Sequence, residues 1–329
     1  MTRSETDRLV VIGDANPDLV LTGTDVRPEF GQAEKIVEHA ALSLGGSAAI
    51  TSAAAARLGI PTSLVAAIGA DLFGDFIESQ LTIAGVDTST VLRVSRPTGL
   101  SVVLSQGADR AILTAPGAID TLTADLIVGS GAIVHATHVH VSSYFLQPAL
   151  AETLPGLLAD ARGGGATISL DTNFDPARRW LTPSLDAALQ MADLFFPNRT
   201  EAAALSGRDD PAHAGLWLAS RYGIAVAVKC GSAGALLAAD NEVLQAAPPA
   251  VRVVDTTGAG DAFNAGFLAA WLDRLDWATC LRTAVAAGGL ATTGLGTASR
   301  LDRGAVLELA AEIKVDTRAP DQAMRADPD

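Results

Sequence analysis

An aspartate set directly behind two closely spaced glycines, Gly258-Ala-Gly-Asp261, can bind an anion and move a proton at one spot. An apolar run over residues 251–254 leads in, and a turn follows at 256–260. Phe263, Phe267 and Trp271 then recur at four-residue spacing, which marks one helix face. Asp261 therefore falls where turn becomes helix. The first backbone N–H groups of a helix lack partners within it, and the dipole there favours negative charge. Gly258 and Gly260 let the backbone approach a ligand, and successive N–H groups in such a turn form an anion-binding nest. A carboxylate beside that nest is a poor choice for anion binding alone. It makes sense if Asp261 takes a proton from a hydroxyl attacking a phosphoryl group held by Gly258, Ala259 and Gly260. The plainer reading is a glycine-rich turn with Asp261 as an N-terminal helix residue, and for an isolated Gly-x-Gly-Asp it is the better one.

The elements that must position this turn follow from the rest of the chain. The 329 residues are 49% hydrophobic and 18% charged, enough to bury a sizeable core in one large α/β domain or two smaller ones. The formal charge of −14 argues against a general nucleic-acid binder, which needs a basic face. Two cysteines, Cys230 and Cys280, are too few and too far apart for a disulfide framework or zinc site. The first eight residues are polar, and no stretch suggests a signal core or a membrane span, so a cytoplasmic location is expected.

Residues 9–12 form a short apolar run closed by Gly13, as expected for a first parallel strand. Asn16 and Asp18 follow beyond its carboxyl end, where α/β sheets bind ligands, although both also suit turns. Strand candidates at 19–21, 35–44, 98–104 and 110–114 interrupt the alternation of strand and helix at two places, which suggests a small sheet packed over the main domain. Gly45-Gly-Ser47 opens an alanine-rich helix closed by Gly59 and Pro61. Asp71 reads as a helix cap. Three histidines lie in 132–141; His138 and His140 share a strand face, but no acid or cysteine nearby completes a metal site, so core roles are expected. Asn198 and Glu201 stand at a strand end running into a helix, with helix capping as the plain reading. Lys229 is weighed equally as a phosphate contact and as a solvated lysine.

The string Asp255-Thr-Thr-Gly-Ala-Gly-Asp-Ala-Phe263 resembles the C-terminal signature of the ribokinase-like (PfkB) carbohydrate kinases, and no Gly-x-x-x-x-Gly-Lys-Ser/Thr pattern occurs. Gly13-x-x-Asn16-x-Asp18, Gly45-Gly46, Asn198-x-x-Glu201 and Gly231-x-x-Gly234 resemble further family segments, so the likeness spans roughly residues 9–312. It implies a Rossmann-like three-layer α/β/α sandwich with a small inserted β lid. The main domain would be residues 1–14, 45–95 and 116–315, the lid 15–44 and 96–115, and 316–329 a disordered tail. It also implies transfer of the ATP γ-phosphoryl group to a hydroxyl, with Asp261 as general base. Asn16, Asp18, Gly45, Gly46 and Ser47 would contact the acceptor. Asn198, Thr257, Gly231, Gly234, Gly294 and Gly296 would contact the nucleotide, Glu201 would hold Mg²⁺ through water, and Asp255 would belong to a K⁺ site.

Departures bear on the acceptor. Family members commonly have Asn four residues beyond the second glycine, where this chain has Ile50, and ribokinases often have Lys where it has Ser47. Sugar-acid kinases often place a basic residue two beyond the Asn of Asp171-Thr-Asn173; here it is Asp175, which argues against an anionic acceptor. A neutral sugar or polyol is the leading expectation, a nucleoside the runner-up, and a non-catalytic sugar-binding regulator the reading from a different class. A homodimer through the lid is permitted by the alternation in 35–44.

Overall fold

The computed structural model describes residues 8–106, 109–294 and 301–318. Strands and helices are numbered along the chain. The first part holds β1 (Leu9–Ile12), β2 (Asn16–Thr22), β3 (His39–Gly45), α1 (Ser47–Arg57), β4 (Thr62–Val65), β5 (Ala67–Gly69) and α2 (Leu72–Ala84). Then come β6 (Leu92–Val94), β7 (Leu100–Gln106), β8 (Asp109–Ala115), α3 (Ala124–Gly129), β9 (His138–Ser142), α4 (Pro148–Ala151), α5 (Leu154–Gly163) and β10 (Thr167–Asp171). The remainder is α6 (Pro183–Leu189), β11 (Leu194–Phe195), α7 (Arg199–Ser206), α8 (Pro211–Tyr222), β12 (Ala225–Lys229), β13 (Ala235–Ala239), β14 (Glu242–Ala246), α9 (Ala259–Leu272), α10 (Trp277–Ala291), α11 (Arg303–Glu312) and β15 (Val315–Arg318).

Nine strands form the main sheet in the order β15-β14-β13-β12-β11-β10-β9-β1-β4. Pairs from β4 through β12 are parallel, and β13 to β15 extend the sheet antiparallel. A parallel sheet needs cover on both faces, so its strands are apolar throughout. In β1, Leu9 and Val11 join one core with α1, α2, α9, α10 and α11, while Val10 and Ile12 join the other with α5, α6, α7 and α8. The result is the three-layer sandwich expected from the sequence.

A separate four-stranded sheet, β3-β2-β7-β8, is built from the two chain segments that interrupt the main alternation. Its register puts Ser43, Asp18, Ser101 and Thr114 side by side on one face. Strand alternation sends Leu19, Leu21, Leu42, Val102, Leu104 and Leu113 to the other, where Leu42 and Leu113 are 43% and 62% exposed.

Several expectations shift. Residues 316–318 are not tail but part of β15, paired with β14, and residues 319–329 lie outside the described residues. Residues Ala132–His135 form a 3₁₀ turn, so the strand that carries His138 and His140 is the short β9. Residues 62–68 split into β4 and β5, so β5 can pair with β6. His138 and His140 are fully buried and lie in one hydrogen-bonded chain: Thr167 Oγ1, His138, Ser169 Oγ, His140, Ser142 Oγ, with links of 2.7–2.9 Å. Burial holds both imidazoles below the usual histidine range, His140 at about 4.

Candidate active site

The carboxyl ends of β1, β9, β10 and β12 meet the N-termini of α1, α7 and α9. Gly258 caps α9 in the left-handed region (φ 75°), a backbone state that glycine reaches without cost. Asp255 fixes the preceding turn: its Oδ1 accepts from Thr257 N–H at 2.9 Å and Thr257 Oγ1 at 2.8 Å. Val254 N–H and Asp255 N–H are held by the Thr292 carbonyl at the end of α10. Helices α9 and α10 can approach because residue 266 is glycine; a Cβ there would stand 2.6 Å from the Ala287 Cβ. Asp261 is thereby anchored on a buried helix, with little of its own surface exposed.

Five acids and one lysine define the centre. Asp171, at the end of β10, accepts from Lys229 Nζ at 2.5 Å and from Asn264 Nδ2 at 2.6 Å. Asn264 lies one turn beyond Asp261 on α9, so Asp171 ties that helix to β12. Glu201 is buried and accepts from Asn198 N–H at 2.8 Å and Asn198 Nδ2 at 2.6 Å, while Asn198 Oδ1 accepts from Glu201 N–H. The expected capping role is therefore present in full as a reciprocal box. Backbone pairing of Lys229 with Asn198 joins this corner to β12.

Toward the small sheet, Asp14 Oδ1 accepts from Ala48 N–H at 3.0 Å at the start of α1. Gly46 caps that helix with φ 82°, and a Cβ on it would meet the Asp14 carbonyl oxygen at 2.7 Å. A Cβ on Gly45 would overlap the Asp18 carboxyl. The glycine pair thus makes room for the Asp18 carboxyl and for the main chain of Asp14. Asn16 Nδ2 donates to Asp18 Oδ1 at 3.1 Å and Ser101 Oγ at 3.2 Å. Asn173 Nδ2 donates to Ser47 Oγ at 2.8 Å, and Ser47 in turn hydrogen-bonds Asp261.

Electrostatics follow from this crowding. Burial first, then the Asp171 charge, push the Asp261 carboxyl up to about 8. Burial and Asp171 also raise Glu201 to about 7. Burial and Asp14 raise Asp18 to about 7, and burial raises Asp14 itself. Burial alone would lower Lys229; Asp171, Glu201 and Asp261 outweigh it and raise the lysine, so it stays charged. Among the described residues no cluster of three or more His, Cys, Asp or Glu forms a metal cage. The surplus of buried carboxyls over cations suits a hard divalent ion held by few protein ligands, water and ligand phosphates.

The structure brings together Asp261, Gly258, Ala259, Gly260, Ser47, Asn198 and Glu201, with Asn16, Asp18, Gly45 and Gly46 on the small-sheet side. Gly231 and Gly234 form a short 3₁₀ turn after β12; Gly234 is crowded, since a Cβ there would lie 2.1 Å from the Ala246 carbonyl oxygen. Gly294 lies just beyond α10, and Gly296 lies outside the described residues. Lys229 is no solvated lysine: it is the buried cation of the site. Sequence reasoning passed over Asp14 and Asn264; Asp171 entered it only within the segment Asp171-Thr-Asn173, with no ion pair to Lys229 foreseen. Asp175 faces inward and accepts from the N–H groups of Ala177, Arg179 and Trp180, so it does not stand in the site to repel an anion.

A three-layer α/β fold with an acid at a glycine-led helix N-terminus defines a class of phosphoryl-transferring enzyme. Residues 6–303 match the pfkB family carbohydrate kinase model, and the chain belongs to that family, whose members are phosphotransferases with alcohol groups as acceptors. It is 32% identical over 284 residues to the ATP-dependent ribose-1-phosphate kinase of Halopiger xanaduensis, covering 86% of this chain and 91% of that one. The ribokinase of Arabidopsis thaliana, solved with ribose and ATP, superposes with TM-score 0.77 at 27% identity, covering 94% of this chain and 99% of that one. A protein from E. coli assigned as ribokinase II, solved with ATP and Mg²⁺, gives TM-score 0.81 at 23% identity over 93% and 99% of the two chains. No helix among the described residues is long and apolar enough to cross a membrane.

Proposed function

We propose that this protein transfers the γ-phosphoryl group of ATP to a hydroxyl of a neutral sugar or related polyol, with Asp261 as general base. The observation that carries the reading is the position of Asp261: buried, three residues beyond the left-handed Gly258 turn, and joined through Ser47 to the small-sheet side of the site. In the reaction the acceptor hydroxyl proton passes to an Asp261 carboxylate oxygen as the acceptor oxygen attacks phosphorus. Backbone N–H groups of the Gly258–Gly260 turn face the charge that develops on the phosphoryl oxygens. Asn198 and Glu201 serve the metal end. Both Glu201 oxygens already accept hydrogen bonds from Asn198, which favours contact with Mg²⁺ through its water; bound Mg²⁺ supplies charge neutralisation of the phosphates. Gly231, Gly234, Thr257 and Gly294 belong to the nucleotide side, and Asp255 to a K⁺ site.

Asn16, Asp18 and Ser47 orient the acceptor against the Gly45–Gly46 turn. The polar face of the small sheet acts as a lid that excludes water, since an open site would hydrolyse ATP. The neutral acceptor is supported by the acids lining that end, Asp14, Asp18 and Asp261, and not by Asp175. A nucleoside acceptor has one observation in its favour: Phe145, Trp180 and Phe174 stack edge to face, centroids 5.4–6.0 Å apart, in and beside the loop that carries Asn173. The aliphatic outer face of the lid pairs with its copy in a homodimer; its exposed edges and leucines need cover. The test is coupled ADP release with Mg-ATP and K⁺ over neutral sugars, polyols, sugar acids, sugar phosphates and nucleosides, with Asp261→Asn as control. A neutral-sugar product lost in that variant supports the reading. Turnover confined to nucleosides or anionic sugars, or unaffected by the substitution, refutes it. Binding of panel ligands without any turnover would favour a regulator.

A further inference from the structure

We infer that Lys229 is a second catalytic cation, whose ammonium turns from Asp171 to the transferred phosphoryl group when the nucleotide binds. The inference rests on the kinase reading above. Lys229 closes β12 with its side chain only 14% exposed, and Asp171, its partner at 2.5 Å, is almost wholly enclosed. The amine lies against the anion nest: a Cβ on Gly260 would stand 3.6 Å from Nζ. The Lys229 main chain pairs with Asn198, so the same residue adjoins the corner held by Glu201. Lys229 is therefore within electrostatic reach of both the acid proposed for the metal and the acid proposed as base. Asp171 is also bonded to Asn264, so it keeps a charge-assisted partner when the lysine turns away.

The lysine stays protonated throughout. The bond from the β–γ bridging oxygen to the γ-phosphorus breaks and leaves ADP; the bond from acceptor oxygen to that phosphorus forms; the acceptor proton goes to Asp261. The ammonium faces negative charge spread over the equatorial phosphoryl oxygens. A flexible lysine stem suits such a move better than a fixed guanidinium fork.

A purely structural lysine would neutralise Asp171 and nothing more. The charge-balanced variant Asp171→Asn/Lys229→Met separates the two roles, because it removes the lysine together with the carboxylate that it directly pairs. Affinity for ADP and for ADP with beryllium fluoride, a γ-phosphoryl mimic, is measured in Mg²⁺ buffer by calorimetry for the parent, Asp171→Asn and the double variant. A phosphoryl contact predicts that the preference for the beryllium fluoride complex falls about tenfold to 100-fold between Asp171→Asn and the double variant, with ADP affinity little changed. An equal preference in those two proteins overturns the inference while leaving the kinase reading in place. A parent protein with no affinity for ADP would refute the kinase reading itself, and this inference with it.

Discussion

Replacing Lys229 with Met should destabilise the ligand-free protein in a way that depends on pH. The substitution keeps the chain length and removes the charge, leaving Asp171 buried with Asn264 and two other acids, Glu201 and Asp261, acting on the same space. Breaking a buried pair by deleting one member costs about 3–5 kcal/mol, because the remaining charge has lost its counter-ion. Loss of the ammonium also removes the charge that holds down the carboxyls of Glu201 and Asp261, so both rise further. A carboxyl whose folded pKa lies above its unfolded value binds more protons in the folded state, so stability falls as pH rises between the two values, by up to about 1.4 kcal/mol per pH unit. The deficit relative to the parent should thus be full near pH 8 and shrink by roughly 2–4 kcal/mol toward pH 5. Urea denaturation midpoints across that range measure it, and Asp171→Asn in the same background should recover at least half of the loss at high pH. A deficit below about 1 kcal/mol at pH 8, or one that does not change with pH, would refute the central place given to this ion pair.

Other outcomes follow from the same geometry. Asp261→Asn should lower kcat by about 10²–10⁴, and near-normal turnover would remove Asp261 as base. The same variant should melt higher than the parent near pH 8 and alike near pH 4, because the parent carboxyl, pushed up to about 8, stays protonated in the folded state while the unfolded chain ionises across that range. The acidic limb of kcat/KM should lie near the raised range of Asp261 and move to lower pH as Mg²⁺ increases, since a nearby cation favours the carboxylate; a limb insensitive to Mg²⁺ would contradict this. Glu201→Ala should lose less activity than Asp261→Asn and regain part of it at high Mg²⁺, which titration of the rate against metal checks. Leu113→Glu on the outer lid face should shift sedimentation from dimer to monomer if that face pairs with its copy.

Local chemistry was legible in the sequence and distant chemistry was not. The Gly258 turn, the Asp71 cap and the Asn198–Glu201 box depend on residues a few positions apart, and each forms as its pattern suggested. The two-part small sheet was readable because its strands break the alternation of strand and helix. Lys229 was ambiguous because its meaning lies in Asp171, 58 residues earlier, and Asp171 in turn depends on Asn264, 93 residues later. Asp175 misled for the opposite reason: its position matched a substrate contact, but three neighbouring N–H groups claim its carboxylate. The strand at 315–318 is short, polar at all but its first residue and at the sheet edge, so neither periodicity nor burial marked it.

The chain of hydroxyls and imidazoles through β9 and β10 has a consequence for how this sequence can change over time. Ser169 serves two neighbours, so its loss would strand a nitrogen on both His138 and His140 in a fully buried space. Single replacements within the set should therefore be costly and strongly non-additive, while a joint exchange for apolar residues of similar volume could be tolerated. In a collection of relatives, positions 138, 140, 142, 167 and 169 should accordingly be inherited together or replaced together, as one unit of variation within an otherwise ordinary sheet.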